Sequence, residues 1–334
     1  MSAVPPLRVL VVRVTSMGDV ALTLPAISDM VDQVPGIQID WLVEKPFAAI
    51  AAMHPGVQTV HAVSWRKWRL SLWRRDTRQA LSDFRQRLRQ TPYDLVLDFQ
   101  GQIAKSVVLG KMARGPLVGF AWQGLREPLA SCFYQRRGRV SKALHLVPRS
   151  RALAATLLGY PVPTNAPDYR LRPPPAPWAP ARATGLPSYA LLIPHASRPE
   201  KHWPEDRWVA IGQRLRGLGH QVVVLWGSPA EQRMARQLAQ QFDGQVPPFL
   251  TVAEAAGVLA RAHVVVGLDT GFTHLAAGLE RPTVGIYCDF DPGLAGLMGR
   301  GFTASLGGVG QVPLLAEVDQ ALTQALAAAG AAPA

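Results

Sequence analysis

The sequence is poor in cysteine and has no long apolar run. Its 334 residues include two cysteines, Cys132 and Cys288, too few for a disulfide framework or a cysteine-rich metal site. No stretch approaches the roughly 18 apolar residues that a membrane-spanning helix needs. The first apolar stretch, residues 7–14, is interrupted by Arg8 and Arg13, so we expect no secretion signal there. These absences favour a protein of the reducing cytoplasm that, if it meets a membrane, lies on the membrane surface.

Acidic residues are also scarce relative to basic ones. The chain has 23 Asp and Glu against 35 Lys and Arg, a formal net charge of +12. Such a balance favours polyanionic partners, namely nucleic acid, anionic lipid headgroups or phosphorylated sugars. With 48% hydrophobic and 17% charged residues, the composition is that of a globular protein, and the length suits two domains.

Strands and helices alternate along the first half of the chain. We predict a buried strand at residues 7–14, a helix at 21–34, and strands at 39–43, 59–63 and 95–99. This alternation is typical of an open parallel sheet, in which ligands bind beyond the carboxyl ends of the strands. Residues 15–19 and 99–101 both follow predicted strands and are therefore candidates for a binding site.

A proline-rich segment, residues 169–187, separates the two halves and predicts a linker, because neither a helix interior nor a central strand tolerates so much proline. The alternation then resumes. The predicted elements are strands 189–194, 221–226, 264–266 and 283–287, helices 208–218 and 231–241, and an alanine-rich helix at 314–328. We therefore predict an α/β protein with two Rossmann-like domains whose parallel sheets face a cleft. Their bounds are residues 1–168 and 188–334, with the linker between them.

Residues 264–275 predict a strand, a tight turn and the start of a helix. Asp269 and Thr270 are favourable helix N-cap residues, and Gly271 allows close approach of the backbone. Free N–H groups at such a helix start suit a phosphate or diphosphate. The alternative is that Asp269 only caps the helix and His274 packs beneath it.

Two further loops follow predicted strands in the second half. Ser197, Arg198 and Lys201 supply a hydroxyl and two cations, which suit a diphosphate. Glu231 is placed where a carboxylate could bind ribose hydroxyls. Three such loops at one edge of a domain predict a nucleotide site. The alternatives are that Lys201 is a solvated surface charge and that Trp203 belongs to the core.

The first half has no comparable phosphate-binding set, but Asp19 follows its first strand. A carboxylate there could act as the general base that deprotonates an acceptor hydroxyl during glycosyl transfer. The alternative is that Asp19 caps the helix that begins near Val20.

Residues 65–89 are unusually basic and aromatic. The residues concerned are Trp65, Arg66, Lys67, Trp68, Arg69, Trp73, Arg74, Arg75, Arg78, Arg85, Arg87 and Arg89. For residues 85–89 we prefer a solvated helix face. For residues 65–69, tryptophan among cations indicates a membrane interface or a stacked, phosphorylated glycan.

In these motifs the sequence resembles the ADP-heptose:lipopolysaccharide heptosyltransferases of glycosyltransferase family 9, nearly from end to end. The motifs that carry the resemblance are Thr15-Ser16-Met17-Gly18-Asp19-Val20, Asp40-Trp41-Leu42-Val43-Glu44, Trp65-Arg66-Lys67, Asp98-Phe99-Gln100-Gly101 with Lys105-Ser106, Arg126-Glu127-Pro128-Leu129-Ala130-Ser131, Lys201-His202-Trp203-Pro204, Trp226-Gly227 with Glu231, and Asp269-Thr270-Gly271 with His274-Leu275.

The resemblance implies a GT-B fold and an inverting transfer that needs neither a metal nor a cofactor. L-glycero-D-manno-heptose would move from ADP-heptose to a 3-deoxy-D-manno-octulosonic acid (Kdo) residue of lipid A, in the inner core of lipopolysaccharide. The enzyme would act as a peripheral protein on the cytoplasmic face of the inner membrane.

The resemblance also implies roles for single residues. Asp19 is the base, and Lys201 assists catalysis while holding the diphosphate. The residues expected at the donor are Ser197, Lys201, Glu231, Asp269, Thr270, Gly271 and His274. Those expected at the anionic acceptor are Ser16, Arg66, Lys67, Gln100 and Arg126.

Two positions depart from the family's pattern. Leu22 stands where the family usually has histidine, three residues after the catalytic aspartate. Cys288-Asp289-Phe290-Asp291-Pro292 replaces the more usual Gly-Pro-Thr-Asp-Pro. Asp289 would bring negative charge towards an anionic donor and weaken its binding, unless the carboxylate faces solvent or pairs with a cation such as Arg198.

Other functions are weighed against this one. A different donor or acceptor within the family, or a nucleotide-sugar 2-epimerase of the same fold, stays open, although the basic stretch at residues 65–69 argues against the epimerase. A nucleic-acid binder would explain the charge, but no recognised nucleic-acid motif is present, and we expect no nucleic-acid partner. An NAD dehydrogenase is disfavoured because Gly18 stands alone, without a Gly-x-Gly-x-x-Gly run.

Overall fold

A computed structural model describes residues 6–180 and 189–331. The chain divides into two compact units, Met1–Asn165 and Ala166–Ala334. Each unit contains one β-sheet whose strand pairs are all parallel. The predicted α/β class with two parallel sheets is confirmed.

The sheet of the first unit has six strands in the order β3-β2-β1-β4-β5-β6. They are β1 (Arg8–Val12), β2 (Gln38–Glu44), β3 (Val57–Val63), β4 (Leu95–Asp98), β5 (Leu117–Phe120) and β6 (Arg136–Gly138). The central strand β1 is an aliphatic run buried from Val9 to Val12, as expected for a parallel strand covered on both faces. Strands β5 and β6 are not among the predicted elements, because they are short and the edge strand β6 consists of two arginines and a glycine.

The described helices of the first unit connect these strands. They are α1 (Met17–Ala21), α2 (Leu24–Gln33), α3 (Ala48–Ala52), α4 (Trp65–Trp68), α5 (Arg75–Leu88), α6 (Val108–Gly110) and α7 (Leu146–Leu158). The single helix predicted at residues 21–34 is two helices, α1 and α2. The break falls before Pro25, in the first turn of α2, where a residue without an N–H is tolerated.

The sheet of the second unit has five strands in the order β11-β10-β9-β7-β8. They are β7 (Tyr189–Ile193), β8 (Gln221–Val224), β9 (Val264–Leu268), β10 (Thr283–Tyr287) and β11 (Thr303–Gly307). Its described helices are α8 (Glu205–Gly217), α9 (Pro229–Gln240), α10 (Val252–Leu259), α11 (Gly271–Gly278), α12 (Pro292–Ala295) and α13 (Leu315–Ala331). Across the described part of the chain, none of the helices has the length and apolar character to cross a membrane.

The described part of the proline-rich segment packs on the second unit. Tyr169 is buried, and its hydroxyl donates to the carbonyl of Met298 at 2.7 Å. At Gly257 in α10, an added Cβ would lie 2.5 Å from the carbonyl oxygen of Pro174, so the segment lies directly on this helix. The division between the units falls after Asn165, three residues before the predicted boundary at 168. Residues 181–187 of the predicted linker lie outside the described residues.

Candidate active site

The first candidate site lies at the topological switch point of the first sheet, where β1 and β4 are neighbours. Strand β1 is paired with β2 on one side and with β4 on the other. The loops that follow β1 and β4 therefore leave the same edge from neighbouring strands, which is the usual position of a ligand site in an open parallel sheet. Residues 15–19 and 99–105 occupy these two loops.

Gln100 joins the two loops. Its Oε1 accepts from the backbone N–H groups of Val14 at 2.8 Å and Thr15 at 3.2 Å. Its Nε2 donates to Thr15 Oγ1 at 3.0 Å and to Gln102 Oε1 at 2.7 Å. An amide can accept two hydrogen bonds and donate two, so Gln100 uses its whole capacity on described residues. These bonds hold the turn after β1, and the contact of Gln100 with the acceptor stays a prediction.

Asp98 in turn holds the loop that carries Gln100. The carboxylate is fully buried. Its Oδ1 accepts from the N–H groups of Gln100 and Gly101, and its Oδ2 accepts from the hydroxyls of Ser106 and Tyr134, all at 2.7–3.0 Å. Burial raises the pKa of Asp98, and these hydrogen bonds oppose that rise. The loop after β4 is thus held by hydrogen bonds to a buried carboxylate.

Asp19 lies at the third position of α1, which begins at Met17, three residues before Val20. Its Oδ2 accepts from the N–H of Ser16, the N-cap residue, at 2.9 Å. Its Oδ1 lies 3.5 Å from the guanidinium of Arg13, and 39% of the side chain is exposed. Asp19 therefore supports its helix and still presents a carboxylate oxygen to solvent, so the capping role and the role of a base are compatible.

Basic groups surround Asp19. Lys105 Nζ donates to Thr15 Oγ1 at 2.8 Å. Burial lowers the pKa of Lys105, and the charge of Arg66 lowers it further. Burial and the charges of Arg13 and Arg126 lower the pKa of Arg149 to about 10. Asp19 opposes both shifts, so the predicted acceptor residues Arg66 and Arg126 share an electrostatic neighbourhood with the predicted base.

Lys105 and Arg149 are site residues that the sequence did not single out. In the sequence Lys105 belongs only to a motif, and the 90 positions that separate it from Thr15 hide the hydrogen bond between their side chains. Arg149 reaches the site from α7, where its guanidinium stacks over the Phe120 ring at 4.4 Å and donates to the carbonyl of Gly124. A single arginine in a helix carries no sequence signal of this kind.

Of the two tryptophans of residues 65–69, one lies in the protein interior and the other is half-buried. Trp65 is buried, and Trp68 packs edge-on against Phe84 of α5 with ring centroids 5.8 Å apart. The interpretation that these rings form a membrane interface or a glycan-stacking surface is therefore wrong for Trp65, whose ring is needed for packing. Arg66 and Lys67 remain exposed, and Arg66 lies over the Phe47 ring at 5.5 Å.

The second candidate site lies at the corresponding point of the second sheet. Strand β7 pairs with β8 on one side and β9 on the other, so the loops after β7 and β9 meet at one edge. They carry Lys201 and Asp269, whose Nζ and Oδ2 form an ion pair. Asp269 Oδ1 lies 3.3 Å from His274 Nε2. Burial acts to raise the pKa of Asp269, but His274 and Lys201 lower it below its ordinary value, so the carboxylate stays ionised.

This cluster decides between the alternatives for the loop after β9. Thr270, in extended conformation, is the N-cap of α11. Asp269 is not the cap, and the interpretation that it only caps the helix is wrong. Lys201 is mostly buried in its ion pair, not a solvated charge. Trp203 is in the core, as its alternative reading held, and its Nε1 donates to the carbonyl of Pro313 at 2.8 Å.

The start of α11 is arranged for an anion. Thr270 makes no capping hydrogen bond with its side chain, and its hydroxyl lies 3.3 Å from Thr273 Oγ1. Thr273 donates to the carbonyl of Leu268 at 2.6 Å. An added Cβ at Gly267 would lie 2.4 Å from this Thr273 hydroxyl, so glycine is required for the turn to close. The first N–H groups of an α-helix have no partner within the helix, so the start of α11 at Gly271 is a potential phosphate site.

Glu231 and Ser197 occupy the neighbouring loops. Glu231 Oε2 accepts from the N–H of Gly227 at 2.8 Å, and Ser228 Oγ accepts from the N–H of Glu231 at 3.3 Å, a reciprocal cap that orients the carboxylate. Ser197 is exposed after β7. Burial lowers the pKa of His195 in the same loop, while the charge of Glu231, the predicted ribose-binding carboxylate, opposes this shift.

The loop that departs from the family's pattern closes over Lys201. Asp289 forms an ion pair with Arg198 at 3.3 Å, which is one of the two arrangements in which its charge need not weaken donor binding. The Phe290 ring centroid lies 5.8 Å from Lys201 Nζ. The other departure, Leu22, is buried and ends α1, so it contributes apolar packing only.

Comparison with known proteins places this architecture in a family. The family described as glycosyltransferase family 9 (heptosyltransferase) matches residues 81–321. Lipopolysaccharide heptosyltransferase 1 of Escherichia coli strain K12 is 38% identical over 299 residues, which cover 88% of this chain and 92% of that protein. The protein of the same name from Pseudomonas aeruginosa PAO1 is 40% identical over 295 residues, covering 88% and 82%.

The structure agrees with this comparison. The solved structure of E. coli heptosyltransferase WaaC with ADP matches with a TM-score of 0.86 at 36% identity, covering 95% of this chain and 99% of that one. The structure of WaaC with ADP-2-deoxy-2-fluoro heptose matches with a TM-score of 0.83. The fold is therefore of the GT-B type. From the family match, the identity over most of its length and the shared fold, the chain belongs to glycosyltransferase family 9, the heptosyltransferases, and is a glycosyltransferase.

Proposed function

We propose that this enzyme performs the reaction of a heptosyltransferase I, transfer of L-glycero-D-manno-heptose from ADP-heptose to Kdo of lipid A with inversion at the anomeric carbon. The observation that carries the proposal is the ion pair of Lys201 with Asp269, which lies beside His274 and precedes α11. The N-cap residue of α11, Thr270, makes no capping hydrogen bond with its side chain. Cations and a helix N-terminus at a sheet edge suit the diphosphate of a nucleotide sugar. The matched WaaC structures hold ADP and an ADP-heptose analogue.

On the donor side, Lys201, Thr270 and Gly271 bind the diphosphate, with Ser197 at its edge. Glu231 binds the ribose hydroxyls. Asp269 contacts the heptose, and His274 holds Asp269 in place. When ADP-heptose binds, its diphosphate competes with Asp269 for the ammonium group of Lys201. Until then, the ion pair with Asp269 holds that ammonium group in place.

The transfer needs one base and one stabilised leaving group. Asp19 takes the proton of the attacking Kdo hydroxyl as its oxygen bonds to the anomeric carbon of heptose. The bond from that carbon to the diphosphate oxygen breaks in the same displacement, and ADP leaves. Lys201 and the start of α11 stabilise the charge that gathers on the leaving diphosphate. We propose that no metal or cofactor takes part, because these groups supply the positive charge that the leaving group requires.

On the acceptor side, the anionic groups of Kdo-lipid A meet Arg66, Lys67 and Arg126, with Ser16 at the mouth of the site. Lys105 adds positive charge between Arg66 and Asp19. Because the acceptor is a lipid, the reaction takes place at the cytoplasmic face of the inner membrane.

The proposal is tested by measuring ADP release from ADP-heptose with and without Kdo-lipid A. We expect release that depends on the acceptor and a product whose mass has grown by one heptose. UDP- and GDP-sugars run in parallel. Preference for either of these donors, or ADP-heptose consumed equally without the acceptor, would contradict the proposal and leave only the family.

Reversing the charges of Arg66 and Lys67 to glutamate should raise the KM for Kdo-lipid A and weaken its dependence on salt. The Kd for ADP should stay the same, because both residues belong to the first unit and the proposed donor-binding residues belong to the second. The matched control reverses Arg85 and Arg87, which are exposed on α5 and are expected to have little effect on either constant. Equal losses of acceptor and ADP binding would remove Arg66 and Lys67 from the acceptor site.

Replacing Asp289 with asparagine should lower the KM for ADP-heptose or leave it unchanged. The substitution removes the carboxylate that pairs with Arg198 at 3.3 Å and leaves that cation free to attract the anionic donor. Steady-state kinetics at fixed acceptor measure the effect, and Asp243→Asn, which breaks a surface pair with Arg216, serves as the control. A KM several-fold higher would show that Asp289 helps to bind the donor.

A further inference from the structure

Three large apolar side chains stand exposed on one turn of the first unit. They are Leu70 (66% exposed), Leu72 (44%) and Trp73 (75%), which lie between α4 and α5. We call them the apolar tip. An exposed cluster of this size on a protein surface marks an interaction site more often than chance.

The turn that carries the apolar tip is well ordered. The N–H of Ser71 donates to the carbonyl of Trp68 at 2.9 Å, and the N–H of Arg74 donates to the carbonyl of Ser71 at 3.0 Å. Ser71 Oγ lies 2.9 Å from Thr77 Oγ1 of α5. These bonds hold the backbone of the turn in the conformation that leaves the three apolar side chains exposed. The edge-on contact of Trp68 with Phe84 anchors the base of the turn.

Positive charge surrounds the apolar tip. The exposed cations on the turn and on the adjoining helices are Arg66, Lys67, Arg69, Arg74, Arg75 and Arg78. The acidic group among residues 65–78 is Asp76, in the first turn of α5, so this surface carries a net charge of +5 by formal count, six cations less one carboxylate. A membrane that exposes anionic headgroups over hydrocarbon matches both parts of the surface, since each Lys or Arg near such a leaflet gains attraction and an exposed tryptophan favours the interface.

We infer that the apolar tip inserts among the headgroups of an anionic bilayer while the surrounding Arg69, Arg74, Arg75 and Arg78 bind its phosphates. The tip is distinct from Trp65, which is buried, and from Trp68, which is half-buried against Phe84. The inference rests on exposure and charge alone and holds for whatever sugar the enzyme transfers.

The test is sedimentation of the full-length protein with vesicles of phosphatidylethanolamine containing phosphatidylglycerol. The first variant combines Leu70→Ser, Leu72→Ser and Trp73→Ser. Its control combines Val309→Ser, Val312→Ser and Leu314→Ser, a second exposed apolar set of similar exposure, at 67%, 45% and 60%. A second variant combines Arg74→Gln, Arg75→Gln and Arg78→Gln. Circular dichroism establishes that each variant is folded.

We expect the wild-type protein and the control to bind these vesicles, and not vesicles of phosphatidylcholine alone. Each of the two test variants should lower the vesicle partition coefficient by about tenfold or more, since each removes three side chains that contact the bilayer. Added salt should weaken binding of the wild type far more than that of the arginine variant. Turnover of a water-soluble Kdo acceptor should be unchanged in the apolar-tip variant, which separates this inference from the proposed reaction.

Two outcomes of the vesicle assay overturn the inference. One is binding of the apolar-tip variant at wild-type strength. The other is absence of vesicle binding by the wild type itself, which would assign the tip to a protein partner or to the soluble part of the glycan. Loss of turnover with the soluble acceptor would likewise move the tip from the membrane to the acceptor site.

Discussion

Replacing Asp19 with asparagine should reduce kcat by roughly 10²–10⁴-fold, the usual contribution of a positioned general base. Asparagine has the same size, and its carbonyl can still accept from the N–H of Ser16, the bond that Asp19 makes at 2.9 Å. What it loses is basicity. The Kd for ADP and the midpoint of thermal unfolding should therefore stay close to the wild type, while turnover of ADP-heptose and Kdo-lipid A falls.

The control for this substitution is Glu254→Gln. Glu254 occupies the same third helical position in α10, and its carboxylate accepts from the N–H of Thr251 at 2.7 Å. The two variants thus alter the same capping arrangement, but only one alters the proposed base. Turnover near the wild-type rate in the purified Asp19 variant would remove Asp19 from the chemistry and leave it a structural cap. Equal loss in both variants would point to helix destabilisation.

Replacing Lys201 with methionine should raise the Kd for ADP about 10- to 100-fold, because one charge-assisted interaction with a phosphate is lost. We also expect kcat to fall by roughly 10²–10³-fold, since a group that stabilises developing charge on the leaving group contributes about this much. The free energy of unfolding should fall by about 1–3 kcal/mol, since Asp269 is left mostly buried without its cation. Calorimetry with ADP, steady-state kinetics and urea unfolding measure the three effects.

A double variant separates the binding role of Lys201 from its effect on stability. Adding Asp269→Asn to Lys201→Met removes the unpaired carboxylate, so we expect the free energy of unfolding to recover. The affinity for ADP should not recover, because the cation is still missing. If ADP affinity returned together with stability, Lys201 would be a structural partner of Asp269 with no contact to the diphosphate.

Much of the fold could be predicted because its signals are local. Buried parallel strands such as β1, β9 and β10 are identified by their aliphatic residues. The glycines and polar residues that follow these strands identify the loops at their carboxyl ends. The predicted strand at residues 283–287 coincides with β10. Strand β6 carries no such signal, because a three-residue edge strand needs neither an aliphatic run nor a buried face.

The sequence by itself determined the α/β class, the family and the residue types available for a diphosphate and a general base, because these follow from periodicity and from motifs within short segments. Only the tertiary structure decided which residues meet. Thr15 and Lys105 are 90 positions apart, and Lys201 and Asp269 are 68 apart. Each pair is brought together by strand order, β1 beside β4 and β7 beside β9.

The tertiary structure also decided which aromatic side chains are exposed to solvent. Trp65 and Trp73 stand in the same basic stretch, yet one is buried and the other is exposed. The difference depends on what packs against them, and that is a property of the folded chain. Composition can supply a tryptophan among cations, but only the long-range contacts of the fold determine whether its ring stabilises the core or remains free to bind.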